Sequence, residues 1–301
     1  MAVDLIDVRR ALESDAIVPC FQPIVELRTG RLAGFEILAR WQHPDLGLIL
    51  PENFISLAEE HGLIGSLTHQ IMRKAFMSAP LLPEPLVLAF NFSPIQLHYR
   101  SLPFQIREAA KDSGFPLQRV MVEITESALV NNLEPARMIA IELKEMGCRL
   151  ALDDFGTGYS SLRHLQALPF SQLKIDRSFI ESMTGKRESR KIVAAVVGLG
   201  HSLGMITVAE GVETEEQANM LLWLGATWGR AGSTGALCRP SGYPICSQPH
   251  RGHCPTKCRR SRTRSVFPAW RRCRSSAWRN CRQSTMERRW AYVFLTATFA
   301  T

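Results

Sequence analysis

Acidic residues are nearly absent from the last quarter of the chain. Residues 226–301 contain 15 Lys and Arg but one acid, Glu287, whereas residues 1–225 contain 21 Lys and Arg and 27 Asp and Glu. Six of the eight cysteines and four of the six tryptophans also follow residue 225. The net charge of +8 therefore combines −6 before that point with +14 after it, and the two regions differ in kind.

The first region also lacks several features that would place it outside the cytoplasm. Its only cysteines are Cys20 and Cys148, which fits a reducing compartment. Residues 1–10 include two aspartates and no apolar core, so they do not resemble a secretory signal. The longest apolar stretch, 192–209, is interrupted by polar residues, so we expect no membrane span. These absences predict a cytoplasmic protein with no membrane partner.

Short apolar runs alternate with helical segments between residues 17 and 224. An opening pair of strands is predicted around the turn at residues 28–31, and the later strands are apolar on both faces. Such strands are typical of a parallel sheet covered by helices. About seven strands alternating with helices predict either a doubly wound sheet or a (β/α) barrel.

Polar side chains at the ends of six predicted strands favour the barrel. They are Glu36, Asn91, Glu123, the pair Asp153–Asp154, Lys174 and Glu210. The C-terminal ends of barrel strands converge on one mouth, where active sites lie. Five carboxylates gathered there would repel one another without cations. Oxygen ligands favour Mg²⁺ or Mn²⁺, and two ions suit in-line displacement at phosphorus.

The adjacent Asp153 and Asp154 pose a geometric question. Neighbouring side chains in a regular strand point to opposite faces, so both can reach one ion only where the backbone turns at a strand end. The alternative is an ordinary strand-end turn without metal, because Asp and Gly are common in turns.

Seven sequence motifs follow one another between residues 17 and 225. They are Phe21-Gln-Pro-Ile24, Glu36-Ile-Leu-Ala-Arg-Trp41, Asn91-Phe-Ser93, Glu123-Ile-Thr-Glu-Ser127, Asp153-Asp-Phe-Gly-Thr-Gly-Tyr-Ser-Ser-Leu162, Lys174-Ile-Asp176 and Ala209-Glu-Gly-Val-Glu213. In this order they resemble the EAL-domain family of cyclic-di-GMP phosphodiesterases. The signature triplet is Glu-Ile-Leu instead of Glu-Ala-Leu, and its metal-binding glutamate, Glu36, is retained.

The resemblance implies a TIM-like (β/α)8 barrel with an antiparallel first strand, which hydrolyses cyclic-di-GMP to linear pGpG. It implies two ions, Mg²⁺ or Mn²⁺, and a homodimer through the barrel. One ion would be held by Glu36, Asn91, Glu123 and Asp153, and the second by Asp153, Asp154 and Glu210.

The resemblance also implies roles for residues around the metals. Lys174 would orient or deprotonate the attacking water, with a structural ion pair as the alternative, and Glu210 would join it in the catalytic set. Gln22 and Arg40 would contact the dinucleotide, since the planar fork of an arginine suits phosphate. Glu126 would anchor the loop at residues 155–162.

The resemblance stops after Gly225. There the family would continue with a pattern like Cys-Asp-Leu-Gly-Gln-Gly-Trp-Leu-Tyr-Gly-Arg-Pro, whereas this chain has Ala226-Thr-Trp-Gly-Arg-Ala-Gly-Ser-Thr-Gly-Ala-Leu-Cys-Arg-Pro240. Re-reading the codons one base earlier can restore the family pattern from its aspartate onward. We therefore predict a one-base deletion near Gly225, which places Arg230 where the other frame has Gln.

This frameshift leads to a domain prediction. Residues 1–225 would form an EAL domain whose last β/α unit is lost or scrambled, and residues 226–301 would form an out-of-frame, disordered basic tail. We expect the tail to bind neither nucleic acid nor zinc, because its Cys/His spacing fits no standard finger. A barrel without its last unit would expose two strand edges, so we predict that the chain folds poorly or hydrolyses slowly compared with a frame-corrected version. The alternative function is an inactive cyclic-di-GMP receptor or interaction module.

Overall fold

The structure, a computed structural model, describes residues 3–78, 85–129, 133–156, 162–231, 237–238 and 244–245. Its strands are β1 Ile17–Glu26, β2 Leu32–His43, β3 Gly47–Ile49, β4 Val87–Phe92, β5 Val120–Thr125, β6 Arg149–Phe155, β7 Gln172–Ile175, β8 Ile206–Val212, β9 Trp228–Ala231, β10 Leu237–Cys238 and β11 Pro244–Ile245. Its helices are α1 Leu5–Glu13, α2 Ile55–Glu60, α3 Ile64–Ser78, α4 Leu102–Lys111, α5 Leu133–Glu145, α6 Leu162–Ala167, α7 Arg177–Ser182, α8 Arg187–Ser202 and α9 Glu215–Leu224.

Eight of these strands close into a barrel. Their order around it is β1, β9, β8, β7, β6, β5, β4 and β2, and β2 pairs back with β1. β1 is antiparallel to both of its barrel neighbours, β2 and β9, and all the other barrel pairings are parallel. The predicted barrel with an antiparallel first strand is confirmed, and the doubly wound alternative is wrong.

The eighth strand is present, which corrects the expectation that it was lost. β9 runs parallel to β8 and antiparallel to β1, with Ile24 opposite Arg230 and Val25 opposite Gly229. Gly229 suits this position because an added Cβ would lie 2.6 Å from Leu27 Cδ2. The segment after residue 225 therefore still forms a barrel strand, and no gap is left between β8 and β1.

The rest of the region after β9 is mostly beyond what the structure describes. β10 pairs with β1 through Phe21 and Cys238, and β11 pairs with β10. The helix expected after the eighth strand and the predicted disordered tail otherwise fall outside the described residues. The boundary at residue 225 and the frameshift stay predictions, although β9 shows that the barrel extends past that boundary.

A small apolar cluster fills the barrel interior below the mouth. It contains Ile24, Val87, Ala89, Met121, Ala151 and Val208, with Trp228 packed against it. A larger cluster lies between the strands and the surrounding helices and includes Phe54, Phe76 and Ile106. Burial of both clusters is the main favourable term for the fold.

The strand faces that form this apolar layer also form the mouth above it. Side chains two residues apart share one face of a strand. In each of six strands a polar residue lies two positions from an interior apolar one, after it in five strands and before it in the antiparallel β1. The pairs are Ile24 and Gln22, Ala89 and Asn91, Met121 and Glu123, Ala151 and Asp153, Val208 and Glu210, and Trp228 and Arg230. The same apolar layer therefore supports the polar mouth from below.

Two further expectations concern cysteines and membranes. Cys20 and Cys148 are both buried and free of disulfides. Burial raises the pKa of the Cys148 thiol to about 11. Within the described residues, no helix is long and apolar enough to cross a membrane.

Candidate active site

Lys174 lies at the centre of the barrel mouth and is 1% exposed. Its ammonium donates hydrogen bonds to Glu123 Oε2 and Asp153 Oδ2, both at 2.7 Å. Glu210 Oε1 lies 2.8 Å from Nζ, and Glu36 Oε2 lies 3.7 Å away. The structure therefore brings one lysine and four of the predicted carboxylates together. These four and Asp154 are called the acidic cluster below.

A backbone irregularity lets Asp153 and Asp154 reach the same point. β6 continues to Phe155, and its pairing with β7 shifts register between Leu152 and Phe155. Asp154 has a φ of +54°, a left-handed conformation that costs energy for most residues and that Asp tolerates better than others. The two aspartates therefore meet through a bulge inside β6, where the sequence predicted a turn at a strand end.

Three carboxylates bring their oxygens close together. One ligand oxygen from each of Asp153, Asp154 and Glu210 lies within 4.8 Å of the others. Asp153 Oδ1 also accepts a hydrogen bond of 2.8 Å from the Asp154 backbone N–H, which fixes its orientation. These are the three residues that the sequence assigned to a second ion.

Burial and neighbouring charges shift the pKa values of the acidic cluster in opposite directions. Burial raises the pKa of Glu123 well above its ordinary value and raises the pKa of Asp153 to about 7, because Lys174 offsets only part of the lost hydration. Burial, together with the charge of Glu210, also raises the pKa of Asp154. Burial alone would raise the pKa of Glu210 as well, but Lys174 and Arg230 outweigh it and lower that pKa to about 2.

Lys174 keeps its charge despite complete burial. Burial alone would lower its pKa, but the surrounding carboxylates, led by Asp153 and Glu123, outweigh this and raise the pKa well above its ordinary value. The side chain is therefore an ammonium ion in this arrangement and donates hydrogen bonds.

Glu36 and Asn91 contact each other at the mouth. Asn91 Nδ2 donates a 2.9 Å hydrogen bond to Glu36 Oε1. The amide nitrogen is used in this way, so the carbonyl oxygen of Asn91 is the atom that would face a metal. Together with Glu123 and Asp153, these are the residues that the sequence assigned to the first ion.

Arg230 is the mouth residue whose role the sequence analysis missed. Its Nη2 donates to Glu210 Oε2 at 2.6 Å, and its Nη1 donates to Gln22 Oε1 at 2.8 Å. Its Nε lies 2.9 Å from Glu36 Oε2. Burial alone would lower its pKa, but Glu36 and Glu210 raise it. Strand periodicity could have identified it, because Arg230 follows the interior Trp228 by two residues. It was set aside because it lies after the predicted frameshift.

The other predicted site residues lie around this centre. Gln22 is buried and accepts from Arg230. Arg40 shares a face of β2 with Glu36 and is 8% exposed, its Nη1 donates to the Ala39 carbonyl at 2.7 Å, and burial lowers its pKa. Buried Glu126 accepts a 3.3 Å hydrogen bond from the Gly156 N–H, where the predicted loop begins; residues 157–161 of that loop lie outside the described part of the chain.

The residues of the mouth fit a divalent metal. Among the described residues, Glu36 Oε2 and Glu210 Oε1 are buried oxygens without a hydrogen bond; their close cationic neighbours contact them only as ion pairs. Carboxylate and amide oxygens are the ligands that Mg²⁺ and Mn²⁺ prefer. Lysine and arginine neutralise the acidic cluster only in part. A cluster with two such oxygens is therefore suited to coordinate a further cation.

Comparisons with known proteins agree with this architecture. A family profile described as "EAL domain" matches residues 6–230. An uncharacterized signaling protein from Caulobacter vibrioides is 44% identical over 211 residues, which is 70% of this chain and 26% of that protein. Cyclic di-GMP phosphodiesterase RocR from Pseudomonas aeruginosa is 39% identical over 224 residues, which is 73% of this chain and 57% of that protein.

Solved structures give the same result. A complex of the PaMucR phosphodiesterase with c-di-GMP superposes with a TM-score of 0.72 at 36% identity, covering 77% of this chain and 96% of that one. The EAL enzyme Bd1971, in a form bound to cAMP and cyclic-di-GMP, gives a TM-score of 0.71 at 27% identity, covering 74% and 62%. The chain spans only 26% to 57% of the two relatives above. On the profile match over most of its length, the chain belongs to the EAL domain family.

Proposed function

We propose that this chain acts as a cytoplasmic phosphodiesterase domain that hydrolyses cyclic di-GMP to linear pGpG with Mg²⁺ or Mn²⁺. The observation that carries the proposal is the arrangement of five carboxylates around one buried lysine at the barrel mouth. The name of RocR and the nucleotide bound to PaMucR support the choice of substrate.

The mouth offers ligands for two ions, in the arrangement that the family resemblance implies. The first would be held by Glu36, Asn91, Glu123 and Asp153, and the second by Asp153, Asp154 and Glu210. Divalent cations bound there would polarise a phosphate oxygen and lower the pKa of water. The chain's own contribution is to hold Asp153 and Asp154 side by side through the β6 bulge.

Lys174 would orient the attacking water. Its pKa is raised by the surrounding carboxylates, so without metal the side chain is an ammonium ion that donates hydrogen bonds. Cations bound by those carboxylates would lower this pKa, so deprotonation of the water by Lys174 stays the second proposed role. Carboxylates that hold a metal would no longer accept from Lys174, and its N–H groups would then be available to donate to water.

Arg40 and Gln22 would contact the dinucleotide. Arg40 Nε is buried without a hydrogen bond among the described residues, so a phosphate oxygen would satisfy it. Gln22 Oε1 is engaged by Arg230, so that contact would have to change before its amide could turn to a base or ribose. Glu126 would hold the start of the 155–162 loop through Gly156.

The test is product formation. The purified chain is incubated with cyclic di-GMP and Mn²⁺, and the nucleotides are separated by liquid chromatography. Linear pGpG that disappears with EDTA and in Glu36→Ala, but persists in the exposed control Glu60→Ala, supports the proposal. Absence of pGpG from a folded, metal-loaded chain contradicts it.

A second candidate is an inactive cyclic di-GMP receptor, and Arg230 is the observation that favours it. Its guanidinium contacts Glu36 and Glu210, one carboxylate from each proposed ion site. Calorimetric binding of cyclic di-GMP without pGpG formation would identify a receptor. A homodimer through the barrel stays a prediction, and light scattering of the purified chain would test it.

A further inference from the structure

Arg230 bridges the two halves of the acidic cluster. One guanidinium nitrogen lies 2.9 Å from Glu36 Oε2 and another lies 2.6 Å from Glu210 Oε2, while the third donates to Gln22 at 2.8 Å. All three nitrogens of the guanidinium therefore face mouth residues, and the side chain is 16% exposed. The planar guanidinium therefore occupies, among these oxygens, a place that a metal ion could take.

The contacts take up oxygens that a metal would need. Glu36 has Oε1 occupied by Asn91 and Oε2 facing Arg230. In the group of Asp153, Asp154 and Glu210, the contact of Arg230 is with Glu210 Oε2. Both oxygens of Glu210 are also engaged, because Oε1 lies 2.8 Å from Lys174 Nζ. Among the described residues, however, Asp153, Asp154 and Glu210 are the one group of three carboxylates whose ligand oxygens lie within 4.8 Å of one another. The geometry therefore favours the position beside Asp154 for an ion that remains in the presence of Arg230.

The charges of the mouth also favour fewer than two divalent cations. Carboxylates must be ionised to hold a metal. With all five ionised, the acidic cluster and Lys174 would carry a charge of about −4, which two divalent cations would balance. Adding Arg230 leaves about −3, which two divalent cations would exceed. A Gln at position 230, as in the alternative reading frame, would restore the balance for two.

We infer that Arg230 replaces one divalent cation, so that this chain binds a single ion beside Asp154 and leaves the Glu36 side to the guanidinium. This inference rests on the metal site of the proposed function. It makes Arg230 an internal competitor of the metal, carried by the strand that closes the barrel. Replacing Arg230 should open the second position.

The test counts metal ions in the absence of nucleotide. Mn²⁺ is titrated into the purified full chain, with electron paramagnetic resonance reporting free Mn²⁺ and calorimetry reporting stoichiometry. We expect one ion in the unmodified chain, two in Arg230→Gln, and one in Arg230→Lys, which keeps the charge. Arg28→Gln is the matched control, since Arg28 is largely exposed and pairs only with Glu26 among the salt bridges seen; it should bind one ion.

Two ions in both the unmodified chain and Arg230→Gln would overturn the inference and leave the proposed metal site intact. No binding in any variant would overturn the metal site of the proposed function, and the inference with it. Circular dichroism establishes that each variant is folded.

A second measurement does not depend on the Arg230 variants. In the unmodified background, Glu36→Gln should leave the count at one ion, while Asp154→Asn should weaken Mn²⁺ binding at least tenfold. A lost ion in Glu36→Gln would show that Glu36 holds the metal and would overturn the inference.

Discussion

Lys174 and Arg230 both place a positive charge against the acidic cluster, but they come from different parts of the chain. Lys174 belongs to a family motif and is 1% exposed at the centre of the mouth. Arg230 follows the point where the family pattern stops and reaches Glu36 and Glu210 from the rim. We infer that the two cations have different consequences: the carboxylates around Lys174 keep a position for one ion beside Asp154, whereas Arg230 takes the place of the other.

The largest effect is expected from Lys174→Met. Loss of the central ammonium leaves up to four buried carboxylates without their shared partner, at a cost of about 3–5 kcal/mol in the free energy of unfolding. Hydrolysis should fall by roughly 10²–10³-fold, the usual cost of removing one preorganised hydrogen-bond donor from an active site. Urea denaturation and product assays measure both, with exposed Lys191→Met as the matched control. Unchanged turnover would remove Lys174 from the mechanism.

Gly229→Val tests whether β9 is a true barrel strand. The new Cβ would lie 2.6 Å from Leu27 Cδ2, and displacing this buried side chain should cost about 1–3 kcal/mol. Gly185→Val is the matched control, because a Cβ at Gly185 meets nothing within 4 Å. Urea denaturation measures the free energy of unfolding of both variants. If the two lost equal stability, the packing of β9 against β1 would be refuted.

Arg230→Gln should destabilise the chain less than Lys174→Met, by about 1–2 kcal/mol, because Lys174 stays in place and Gln retains hydrogen-bonding groups. Saturating Mn²⁺ should then raise the stability of this variant more than that of the unmodified chain, since a ligand stabilises the state that binds it. Thermal unfolding with and without Mn²⁺ provides the readout. An equal gain in stability in both proteins would show that Arg230 does not compete with the metal.

The smallest effect is expected from Asp154→Asn, which should raise stability by less than about 1 kcal/mol because the residue is only partly buried and water screens its charge. Asn tolerates the left-handed backbone of this position. Burial raises the pKa of Asp154, so the ionised group destabilises the fold at high pH, and this penalty disappears as the pH falls below its unfolded-state value. The gain should therefore be larger at pH 8 than at pH 4 in urea denaturation. A larger gain at pH 4 would reverse this account.

Much of the site could be predicted because strand periodicity is local. Polar residues at strand ends identified Glu36, Glu123 and Glu210 as mouth groups, and each lies against Lys174. The bulge at Asp154 could not be predicted in the same way, since a register shift depends on the neighbouring strand β7. The prediction of a missing eighth strand was wrong for a similar reason, because it judged residues 228–231 by their likeness to a motif.

The sequence by itself identified the family through seven ordered motifs. It also favoured the barrel and placed the carboxylates at its mouth, because polar groups at the C-terminal ends of barrel strands converge there. The tertiary structure decided that residues 228–231 close the barrel and that Arg230 contacts Glu36 and Glu210. Those contacts join residues about 20 and about 200 positions apart, and only the closed sheet brings them within reach.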